Sequence, residues 1–107
     1  MTEARRRSAR ILARVPILMA GDGPIYNAHT AVVNRHGALI LSPINYPSET
    51  VIEVQNQNTG ESAKFRVVWS GGEDRPGLHK LGIELLDELP EFWGVDYETA
   101  IPAAPQP

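Results

Sequence analysis

Turn-forming residues recur at such short intervals along this chain that every stretch between them has the length of a strand and none has the length of a crossover helix. Ile11 to Met19 reads as a first strand, closed by the turn cluster Gly21-Asp22-Gly23-Pro24. Ile25 to Val33 follows with Tyr26, Thr30, Val32 and Val33, residue types that suit a pleated surface. Ala38 to Leu41 resumes after only Asn34-Arg35-His36-Gly37, so the two runs form a tight hairpin. Pro43 and Pro47 mark 42–48 as a loop. Thr50 to Gln55 alternates, and Asn56 to Gly60 turns the chain. Ala63, Phe65 and Val67 then share one strand face, opposite Lys64, Arg66 and Val68. Gly71 to Gly77 is predicted to be a flexible hairpin tip, and Leu78 to Leu86 the last strand.

Six strands with short connections predict an all-β fold, a six-stranded antiparallel barrel. Parallel pairing would need crossover helices, and closure removes exposed strand edges. A chain of 107 residues supports one core, not two. The expected organisation is a basic N-terminal arm over 1–10, the barrel over 11–97, and a tail over 98–107 whose Ala and Pro content predicts disorder. With no cysteine, disulfides and thiolate metal sites are excluded. The apolar run Val15 to Ala20 is too short for a membrane span or a signal segment, which predicts a cytoplasmic protein.

The net charge of -3 conceals an asymmetry. Residues 1–14 carry five arginines against Glu3, or +4, while the remainder sets five cations against twelve acids, or -7. A broad nucleic-acid surface is therefore not expected, because an acidic body repels a polyanion. One local anion site at the arm is compatible with this pattern, and so is a solvated basic arm.

Arg6 and Arg10 stand four apart just before the first strand. Guanidinium groups bind phosphate bidentately, grip the O6/N7 edge of guanine and stack on purines. In the Asn34–Gly37 turn, glycine permits positive φ or close approach of a ligand, although a plain hairpin explains both residues. His29, His36 and His79 lack the spacing of metal ligands, and no nucleophile elbow, phosphate-binding glycine loop or HExxH pattern occurs. Glu84, Asp87, Glu88 and Glu91 read as ordinary surface charge, so neither catalysis nor a cofactor is expected. Phe92-Trp93 is expected to close one end of the barrel, with an exposed partner-binding patch as the alternative, and Trp69 is expected in the core.

In order along the chain, the arginines of 5–10, the segment Thr30 to Leu41, the strand ending in Val68-Trp69, and Leu81-Gly82-Ile83-Glu84-Leu85 resemble the PilZ domain family over residues 5–97. The resemblance implies a six-stranded antiparallel barrel that binds cyclic di-GMP through two motifs. The first, RxxxR, is matched by Arg6 and Arg10. The second, [D/N]xSxxG, is matched at its glycine by Gly37, with Asn34 at the serine position and Val32 at the acidic position. An Asn amide replaces a hydroxyl in part, but Val32 can accept no hydrogen bond. Losing one charge-assisted bond of roughly 1.5–3 kcal/mol implies about tenfold to a hundredfold weaker binding. Arg35, beside the turn, offers a further phosphate contact.

The resemblance thus implies a bacterial signalling adaptor whose ligand-binding residues are Arg6, Arg10, Asn34, Arg35 and Gly37, with a protein partner downstream. The alternative is a domain of the same fold that no longer binds nucleotide and acts only through a protein partner.

Overall fold

The computed structural model describes residues 10–95; the remainder of the arm, with Arg5, Arg6 and Arg7, and the tail from residue 96 lie outside the described residues. The strands are β1 (Ile11–Leu12), β2 (Pro16–Ala20), β3 (Ile25–Asn34), β4 (Gly37–Ser42), β5 (Val51–Asn56), β6 (Ser62–Arg75) and β7 (Leu78–Leu85). All pairings are antiparallel, and no helix occurs among the described residues. The order β3-β2-β5-β6-β7-β4 closes on itself through β3–β4, giving the expected six-stranded barrel, while the two-residue β1 is an extra strand on β3.

Period-two alternation sends one side chain of each strand pair inward. Ile17, Met19, Val33, Ile40, Ile52, Val54, Phe65, Val67 and Leu81 are all buried in one core. Each such side chain stabilises the fold by roughly 1.5–3 kcal/mol relative to exposure. Phe92 and Trp93 lie across one end of the barrel, at 1% and 3% exposure. Their rings meet edge-on at 4.9 Å, and Phe92 sits 5.4 Å from Phe65. The Trp93 indole N–H donates to the Gly37 carbonyl at 3.1 Å, and Asn56 Nδ2 donates to the Phe92 carbonyl at 2.9 Å. The pair therefore plugs the barrel, and its rings are not available as a partner patch.

Three expectations are corrected. The first strand is interrupted at 13–15, because the Thr30 side chain takes the place of a main-chain partner. Its hydroxyl donates to the Ala13 carbonyl at 2.5 Å and accepts from the Val15 N–H at 2.8 Å. The segment Gly71 to Gly77 is not a long loop: β6 runs to Arg75, and only Pro76-Gly77 turns. Register shifts at 67/69, 70/73 and 73/75 absorb its extra residues within the ladder. Trp69 is 48% exposed and lies outside the core. The first of those shifts inserts Val68 as an unmatched residue, so the alternation that buries Phe65 and Val67 is reversed before it reaches Trp69.

Candidate functional site

Five strands of the sheet, β1, β3, β4, β7 and β6, carry three consecutive cross-strand rows. The middle row, Ile11–Val33–Ala38–Ile83–Val67, contributes to the core. The rows on either side therefore face outward. One is Leu12–Val32–Leu39–Gly82–Trp69, apolar from end to end, and its terminal members Leu12 and Trp69 are 59% and 48% exposed. The other is Asn34–Gly37–Glu84–Arg66, polar except where glycine leaves it bare. Arg10 immediately precedes the Ile11–Val33 pair and lies beside Asn34 at the end of this row.

Between the two outer rows lies an open cleft of about 500 Å³. Val32, Leu39, Val68 and Gly82 form its apolar floor, and Arg10, Asn34, His36 and Glu84 its polar rim. The fold thus brings together three of the residues singled out in the sequence, Arg10, Asn34 and Gly37, from two segments separated by more than twenty positions. Arg6 lies outside the described residues. Arg35 lines a neighbouring groove of about 480 Å³ instead, where its guanidinium stands 3.5 Å from Glu91.

The turn that carries Asn34 is fixed locally. The Asn34 side-chain oxygen accepts from the His36 N–H at 2.7 Å, an Asx turn that pins Arg35 and His36. Gly37 follows with an ordinary negative φ, so the glycine is not required for left-handed geometry. Its reason is steric: a Cβ at this position would stand 2.0 Å from the Ile83 carbonyl oxygen. The close approach anticipated for a ligand is an approach by β7.

Two residues read otherwise from the sequence belong to this face. Trp69 lies flat over glycines, with a Cβ on Gly71 meeting its indole at 2.3 Å and one on Gly82 meeting its Cβ at 3.3 Å. An indole laid along the outside of a sheet is a stacking surface for a planar ligand. The glycine spacing around Trp69 was the available signal, masked by the register shift. Glu84, read as ordinary surface charge, lies on the cleft rim, where Arg66 Nη2 holds its Oε1 at 2.8 Å. That hydrogen bond, reinforced by the charges of Glu84 and Glu49, raises the Arg66 pKa above its ordinary value.

Further along the same face, His29 pairs with Leu41, and Leu41 with Lys80. Burial lowers the His29 pKa, and the positive charges of Arg14 and Arg75 lower it further. Among the described residues no group of three His, Cys, Asp or Glu is placed to hold a metal, and no helix is long and apolar enough to cross a membrane.

These features define a small closed-barrel domain with an open cleft on its outer wall, rimmed by Arg10 on one side and a hairpin turn on the other. The family model of the PilZ domain matches residues 4–91, and the chain belongs to that family. Comparison with curated proteins gives no significant match. PilZ domains are non-enzymatic signalling and adaptor domains of the cyclic di-GMP-binding type.

Proposed function

We propose that this protein is a signalling adaptor that binds cyclic di-GMP in the outer cleft, with phosphates drawn to Arg10 and to Arg6 of the arm and a base laid over the Val32–Leu39–Gly82 row. The observation that carries this reading is the convergence of Arg10, Asn34 and Gly37 on one cleft with an apolar floor. An anionic, planar ligand needs both surfaces together. Guanidinium–phosphate bonds contribute roughly 1.5–3 kcal/mol each, and stacking of a base on an aromatic ring such as Trp69 contributes about 1–3 kcal/mol. These terms offset the acceptor that Val32 does not supply.

Ligand phosphates held by the arm and the cleft together would present a joint surface that a protein partner could read. The setting that fits is a bacterial cytoplasm. Isothermal titration with cyclic di-GMP tests the reading. Saturable heat whose affinity falls markedly in Arg6→Ala and in Arg10→Ala is expected; no heat from the native chain at high ligand concentration would sink it.

One observation favours a second reading, in which the domain holds a protein partner without nucleotide: the apolar row ends in solvent at Leu12 and Trp69. A partner that binds without nucleotide and loses affinity on Trp69→Ala would favour this reading.

A further inference from the structure

We infer that Glu84 is the residue that reads the base edge in this cleft and makes it selective for guanine over adenine. The inference rests on nucleotide binding in the cleft, as proposed above. Among the side chains that line the cleft, those with oxygen acceptors are Asn34 and Glu84. The Asn34 oxygen already accepts from the His36 N–H at 2.7 Å. Glu84 Oε1 accepts from Arg66 Nη2 at 2.8 Å, but a carboxylate offers about four lone-pair sites. It is therefore the strongest acceptor on the rim with capacity to spare.

Its position suits that role. Glu84 and Asn34 both pair with Gly37, one from each side, so they flank a residue with no side chain. Two strand spacings separate their backbones, roughly 10 Å, which is wide enough to admit the edge of a purine. The Arg66 hydrogen bond fixes the carboxylate at one end of the row, while Arg10 lies at the other, beyond Asn34. A nucleotide is sorted by that polarity: phosphate is attracted to the Arg10 end, whereas at the other end the Arg66 charge is already compensated by Glu84 and Glu49. Guanine presents two adjacent donors, N1–H and N2–H, which one carboxylate accepts together. Adenine presents the N1 lone pair instead, which a carboxylate repels. A bidentate contact of this kind discriminates between bases by roughly tenfold to a hundredfold.

The test is a comparison of cyclic di-GMP with cyclic di-AMP, titrated into the full chain and into Glu84→Ala, Glu84→Gln and Arg10→Ala. The ratio of the two affinities is the readout, because removing Glu84 also releases Arg66 and strengthens phosphate attraction for both ligands alike. The native chain is expected to prefer cyclic di-GMP by tenfold or more. Glu84→Ala should bring that ratio close to one, Glu84→Gln should reduce it, and Arg10→Ala should weaken both ligands while keeping the ratio. Thermal unfolding confirms that each variant is folded. Binding with an unchanged ratio in Glu84→Ala would overturn this inference and leave nucleotide binding standing. Absence of heat with either nucleotide in the native chain would overturn both.

Discussion

Gly37 and Ile83 touch through their backbones, so closely that a methyl group on Gly37 would lie 2.0 Å from the Ile83 carbonyl oxygen. No rotamer relieves that contact, because both partners are main chain. Gly37→Ala must therefore push β4 from β7 at the place where Trp93 donates its indole N–H to the Gly37 carbonyl. The expected cost is about 2–3 kcal/mol, lowering the melting temperature by roughly 10 °C or more. Thermal unfolding followed by circular dichroism measures it, and an unchanged melting temperature would contradict the packing described.

Much of this was legible in the sequence because burial follows a two-residue period. Phe65 and Val67 declared their face by alternating with Lys64 and Arg66, and the Asn34–Gly37 hairpin declared itself by length and composition. What the pattern could not reveal was any break in its own register. The unmatched Val68 carries Trp69 from the expected core to the outer wall. Glu84 was likewise illegible, because its role depends on Gly37 and Arg66, which are adjacent only across strands. Arg10 could be named from the sequence as a candidate, but its place beside Asn34 required the short β1 to pair with β3.

Thr30 offers a test of the interrupted first strand. Its buried hydroxyl satisfies the Ala13 carbonyl and the Val15 N–H. Thr30→Val keeps the shape and leaves both groups unpaired, at a cost of about 2–4 kcal/mol. Thr30→Ser should retain most of the stability. Denaturant unfolding of the two variants separates the hydrogen bonds from the packing, and equal stability would show that the hydroxyl is not the link.

The two tryptophans should report separately. Trp69 is 48% exposed and Trp93 is 3% exposed, so acrylamide should quench only the former. Trp69→Phe is expected to remove most of the quenchable fluorescence with little loss of stability. Trp93→Phe removes the indole bond to the Gly37 carbonyl, which keeps its ladder partner Asn34, and should cost about 0.5–1.5 kcal/mol. Comparable quenching of both variants would place Trp69 in the core after all.

His29 predicts a slope on the acid side. Its folded-state pKa lies below the unfolded value of about 6.5, first through burial and then through Arg14 and Arg75. The unfolded chain therefore takes up the proton first as pH falls. The associated stability is fully present above about pH 6.5 and declines as pH falls from there to the lowered folded-state value. Comparing melting temperatures at pH 7.5 and 5.5 in the native chain and in His29→Gln isolates this contribution. The drop should be smaller in the variant; an identical drop would assign it to other groups.

Val32 is the remaining departure from the family's second motif, and its neighbours indicate what a carboxylate there would do. It lies in the outer row between Leu12 and Leu39, on the cleft floor, with the Val33 row between it and Asn34. Val32→Asp combined with Asn34→Ser adds a charged acceptor where a base would rest, and the serine hydroxyl can still accept from the His36 N–H as Asn34 does. The side chain at 32 is not fully buried, so desolvation of the new carboxylate is modest. One added charge-assisted bond is expected to tighten cyclic di-GMP binding by roughly tenfold, measured by titration against the native chain. An unchanged affinity would mean that the base does not rest over this row, and the phosphates alone would then hold the ligand through the arm.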